Sequence, residues 1–176
     1  AISAKYIQNK YKLKKELIID WDYHHGNSTE LFFYNDPSVL FFSTHDANAY
    51  PRTGSPDRIG SGKGKGYNVN IHLPCGTTDK KIISTYENIL VKKANIFKPD
   101  FILISAGFDS RKDDPLGCFD ISDKGFKTLT TIALQIAEKH CNGRLLSILE
   151  GGYNVEGSAK AAVTHIETLN NFYKNI

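Results

Sequence analysis

The side chains best suited to chemistry stand where apolar runs break off. In LIIDWDYHHGN, residues 17–27, three aliphatic residues give way to Asp20, Trp21, Asp22, Tyr23, His24 and His25, groups that are costly to bury unless paired. If the chain stays extended, Asp20, Asp22 and His24 share one side and His25 faces the other, because side chains alternate along a strand. Asp22 and His24 can then grip one ion. Asp109, which follows another apolar run, is the best third ligand. Two carboxylates and one imidazole suit a divalent ion such as zinc, with a position left for water or substrate. Two-His-one-carboxylate iron sites have the opposite ratio. The residues alone also admit plainer readings: a solvated Asp-x-His loop, or an aspartate that caps a helix.

Positioning these groups requires strands that end together. Leu17–Ile19, Val39–Phe42, Phe101–Ile104 and Leu145–Leu149 are continuous apolar runs, the pattern of strands covered on both faces of a parallel sheet. Helical patterns over 2–14, 82–97, 124–140 and 158–172 alternate with them, which predicts an α/β fold with a parallel sheet flanked by helices. All four strands run into polar residues, so their carboxyl ends converge on one crevice. Gly26 lets the chain turn after the tandem histidines, and Asn27 with Glu30 predicts a capped helix over NSTELFFYN. Residues 46–81 read as a long Gly- and Pro-rich loop, strand-like only over 67–73. Gly151-Gly152 frees the backbone just before Tyr153.

With 176 residues, 40% of them hydrophobic, the chain fits one globular domain. A net charge of +3 with dispersed lysines gives no electrostatic case for nucleic acid. Cys75, Cys118 and Cys141 match neither a disulfide framework nor a thiolate zinc site. No segment approaches the roughly 20 apolar residues of a membrane helix. A reducing compartment, the cytoplasm or in a eukaryote the nucleus, is the expectation. The sequence contains no methionine and starts at Ala1, as a fragment or a processed chain would.

DWDYHHGN, SAGFDSRKDDPLG and LEGGYN resemble the signature segments of the zinc-dependent histone deacetylase family, nearest its class II and bacterial members. The resemblance implies an arginase-like α/β fold and hydrolysis of acyl-lysine amides, or of acetylated polyamines in one branch. It implies zinc ligands at Asp22, His24 and Asp109, and in Tyr153 the hydroxyl that hydrogen-bonds the polarised carbonyl and the oxyanion. Asp20 would orient a catalytic histidine and, with Ser43, ligate a structural monovalent cation, usually potassium. A second monovalent site would map to Phe33, Asp36, Val39 and Tyr67. Tyr50 and Leu116 match positions lining the acyl-lysine tunnel, with Gly151 and Gly152 beside the substrate, and Leu116 in place of an acid disfavours a polyamine specialist. The family's general base belongs to a pair of histidines upstream of the D-x-D-x-H stretch. No histidine precedes Leu17, so the expectation is the carboxyl-terminal half of a deacetylase domain, inactive alone. The rival from another class is a non-catalytic protein that binds acylated partners through a retained cleft.

Overall fold

Five parallel strands form the sheet in the order β3-β2-β1-β4-β5, in a computed structural model that describes residues 1–175. They are β1 (Glu16–Asp20), β2 (Val39–His45), β3 (Asn68–His72), β4 (Phe101–Ala106) and β5 (Leu145–Leu149). Alternation sorts each central strand between two cores. Leu17, Ile19, Leu40, Phe42, Ile102 and Ile104 point into the larger one. Ile18, Val39, Phe41 and Leu103 meet Ala4 and Ile7 of α1 (Ile2–Tyr11) and Phe33 of α2 (Asn27–Phe33) on the opposite face.

The larger core is covered by α3 (Asp79–Thr85), which continues through a π-helical turn at Tyr86–Leu90 into α4 (Val91–Phe97), and by α5 (Asp123–Cys141) and α6 (Val155–Asn171). Ser122 caps α5 by accepting the Gly125 N–H, and Asn154 caps α6 by accepting that of Gly157. The expected helix over 82–97 therefore begins three residues earlier, and that over 158–172 starts at Val155.

The fifth strand, β3, falls within the stretch 67–73 that reads as strand-like inside the long loop. Its Asn68 and Asn70 break the apolar run because both donate to Glu30, at 2.9 and 2.6 Å. The predicted cap of α2 does not form: Asn27 is the first helical residue and no side chain caps it. Glu30 is buried and receives Arg58 Nε at 2.6 Å as well as the two asparagines, a stronger demand than a cap makes. The cysteines do not all stay free. Cys75 and Cys118, 43 positions apart, form a disulfide with a Cα–Cα separation of 5.1 Å, while Cys141 is free and buried. No helix among the described residues is long and apolar enough to cross a membrane.

Candidate metal centre

Register brings the chemistry together. Asp20, the last residue of β1, lies opposite Ser43 of β2 on one side and Ser105 of β4 on the other. Asp22 and His24 follow on the loop after β1, and Asp109 on the loop after β4. One ligand atom from each of Asp22, His24 and Asp109 lies within 4.8 Å of the others. His24 Nδ1 is 2.9 Å from Asp109 Oδ2 and 3.2 Å from Asp22 Oδ1.

Backbone amides aim these carboxylates. Asp109 Oδ1 accepts the Tyr23 N–H at 2.8 Å, which leaves Oδ2 turned to His24. Asp22 Oδ1 accepts the His24 N–H at 2.8 Å and its Oδ2 the Gly151 N–H at 2.9 Å. Such outer contacts fix the orientation of ligands. Glycine is required where the chain passes: a Cβ at Gly107 would collide with Asp22, and one at Gly151 with both Asp109 and Asp22. Oxygen and imidazole donors, a buried carboxylate and a backbone cradle fit a divalent ion of zinc's type.

The electrostatics is that of acids crowded together. Hydrogen bonds to Asp109 and then Asp22 push the His24 imidazolium up to about 10. Burial lifts Asp109 above the usual carboxylate range. Burial also pushes at Asp22, but hydrogen bonds from His24 and Gly151 outweigh it and hold this carboxyl low. Asp20 is raised well above its ordinary value by burial and by Asp22. Tyr153 stands at the edge of the cluster, about half exposed, with its ring edge-on to that of His24 at 6.4 Å. Burial, then the charges of Asp109 and Asp22, raise its hydroxyl, so it is a proton donor at neutral pH.

His25 faces away, with Nδ1 2.7 Å from Thr53 Oγ1 and Nε2 3.3 Å from Glu30. Ser43 is buried and its Oγ meets His45 Nδ1 at 2.9 Å. Phe33, Asp36 and Val39 share one turn, where the Asp36 N–H donates to Phe33 O at 2.9 Å and the Asp36 side chain pairs with Lys5. Tyr67 O accepts the Phe41 N–H on the neighbouring strand. Tyr50, before the cis Pro51, and Leu116 are exposed on loops. Gly152 has φ +144°, which only glycine adopts readily. Tyr23 escaped the sequence reading. Its hydroxyl donates to Asp46 at 3.0 Å and its ring lies 4.9 Å from that of Phe119, so the loop that carries His24 is pinned from below.

Residues 1–169 match the family model described as "Histone deacetylase domain". A "Probable deacetylase" of Archaeoglobus fulgidus is 46% identical over 158 residues, 90% of this chain and 44% of the relative. "Histone deacetylase 15" of Arabidopsis thaliana is 43% identical over 89% of this chain and 28% of its own length. The crystal structure of the HDA15 HD domain superposes with a TM-score of 0.89 at 40% identity, covering 96% of this chain and 48% of that one. The chain thus spans less than half the length of these relatives.

Proposed function

The chain belongs to the histone deacetylase domain family, and from that premise we propose that it supplies the metal-holding and oxyanion-binding side of a zinc-dependent site that hydrolyses acyl-lysine amides. The observation that carries this reading is the convergence of Asp22, His24 and Asp109 within 4.8 Å. These three would hold the ion. Zinc supplies Lewis acidity, drawing electron density from an amide carbonyl and lowering the pKa of water to about 7.

The chain's own groups do the rest of what is within reach. The Tyr23 and Gly151 amides keep the carboxylates aimed, so no reorganisation is needed when substrate arrives. The Tyr153 hydroxyl donates a hydrogen bond to the carbonyl oxygen as negative charge develops on it. Exposed apolar surface at Tyr50 and Leu116 suits the methylene stem of a lysine. Asp20 supports a potassium site with Ser43: a carboxylate raised by burial gains from a neighbouring cation, and the register places Ser43 directly opposite. The second monovalent site at Phe33, Asp36, Val39 and Tyr67 belongs to the same proposal.

The proton acceptor is assigned to a histidine pair outside this sequence, and residues 1–176 to the carboxyl-terminal half of the catalytic domain. His25, His45, His140 and His165 turn ring nitrogens to Thr53, Ser43, Asn95 and Thr130 respectively. His72 meets the His45 ring edge-on, with centroids 5.2 Å apart. The segment alone should therefore turn over acetyl-lysine at near-background rates. Cytoplasm or nucleus is the proposed compartment, where the Cys75–Cys118 pair would stand as two thiols.

The test is turnover of an acetyl-lysine peptide by the full-length protein, with acetylspermidine as the competing substrate. Activity removed by a chelator, restored by zinc and higher on the peptide is expected. Chelator-insensitive hydrolysis overturns the reading.

A further inference from the structure

Tyr153 is held by little of its own side chain. Its ring is about half exposed, its aromatic contact is the edge of His24, and its hydroxyl has no hydrogen-bond partner among the described residues. What places it is backbone, and that backbone is gripped by a carboxylate with no role so far. Asp114 is 7% exposed. Its Oδ2 accepts the N–H groups of Tyr153 at 2.7 Å and Asn154 at 3.1 Å. Its Oδ1 accepts those of Leu116 at 2.9 Å and Gly117 at 3.2 Å.

One side chain thus satisfies four amides from two loops, the one between β4 and α5 and the one between β5 and α6. The arrangement is prepared on both sides. Asp113 takes a left-handed φ of +66°, and its carbonyl accepts Asn154 Nδ2 at 3.0 Å. Asn154 Oδ1 in turn caps α6 through Gly157. Charged acceptors make the stronger hydrogen bonds to backbone N–H, so a carboxylate fixes both loops more firmly than a neutral acceptor would. With both oxygens engaged, Asp114 is also withdrawn from binding a cationic substrate at the mouth.

We propose that Asp114 is a positioning residue: it sets the Tyr153 hydroxyl against the Asp22–His24–Asp109 cluster and locks the Leu116 wall to the same reference point. The proposal rests on the oxyanion role given to Tyr153 above. An asparagine in its place would turn an NH2 group toward one of the two amide pairs and release that loop, leaving every ligand atom of the cluster in place.

The experiment is a double-mutant cycle on the zinc-loaded full-length protein with an acetyl-lysine peptide. Asp114→Asn should lower kcat by about tenfold or more with KM changed by less than about threefold, because the interaction is made in the transition state. In a Tyr153→Phe background the same change should lower kcat by less than about twofold, since the two residues act through one hydroxyl. Equal losses in both backgrounds overturn the proposal. If Tyr153→Phe alone leaves kcat unchanged, the oxyanion assignment fails and this inference falls with it, an outcome distinct from additivity. Should Asp114→Asn fail to fold, amide exchange in the unmodified protein decides: the Tyr153 and Asn154 N–H groups should exchange slowly for loop amides, and unprotected rates overturn it.

Discussion

Gly151 does as much for the proposed metal centre as one of its donors does, although it has no side chain. Its N–H holds Asp22 Oδ2, and its Cα passes so close that a Cβ would press on Asp22 at 2.7 Å and on Asp109 more closely still. Gly151→Ala should therefore reduce zinc content from about one equivalent to well under half without removing any donor, while the melting temperature shifts by only a few degrees. Metal analysis beside a thermal melt checks this; full zinc retention would show that the cradle yields. Much of the centre was legible in the sequence. Asp22 and His24 alternate past a buried strand, and Asp109 follows a second one, so period and strand ends were enough to unite them. Tyr23 and Asp114 were not legible, because both act through backbone amides remote in sequence (Tyr23 by donating its own N–H, Asp114 by accepting four), and a pattern of residue types carries no trace of that.

Among the elements, the continuous apolar strands announced themselves, whereas β3 showed only as a brief strand-like stretch in a long loop, since its buried asparagines answer to Glu30 on another element. Another buried acid sits at the opposite end of β1. Glu16 is fully buried under α1; Gln8 Nε2 reaches its Oε2 at 2.5 Å, while Oε1 has no hydrogen-bond partner among the described residues. Burial pushes its carboxyl up to about 7, against the opposing hydrogen bond from Gln8. A raised folded pKa means the native state binds the proton more tightly than the unfolded chain. The contribution is thus fully present below pH 4.5, the ordinary value for a glutamate, and is lost as pH rises through about 7. Glu16→Gln should remove this dependence, gaining up to about 3 kcal/mol relative to the native protein between pH 4.5 and 8. Urea denaturation at several pH values reads it directly, and parallel pH profiles for the two proteins would refute it.

At the scale of the whole molecule, the sheet ends in two edge strands, β3 and β5, and the β5 edge is the one with large apolar side chains exposed. β5 pairs only with β4, and Leu146, Ile148 and Leu149 of this edge are 43%, 38% and 70% exposed. An apolar cavity of about 440 Å³ beside it is lined by Leu145, Leu149, Ala162 and Ile166. Unprotected edges invite association, so residues 1–176 expressed alone should self-associate with increasing concentration, and Leu149→Lys should shift sedimentation toward monomer. A monomer at every concentration would contradict this. Hydrolysis at this site requires that three donors from two loops hold one ion. The most direct measurement is an anomalous difference map at the zinc edge from crystals of the full-length protein. A single strong peak is expected within about 2.0–2.2 Å of one atom each from Asp22, His24 and Asp109. A map with no peak there under excess zinc, or with the ion bound by other residues, would contradict it.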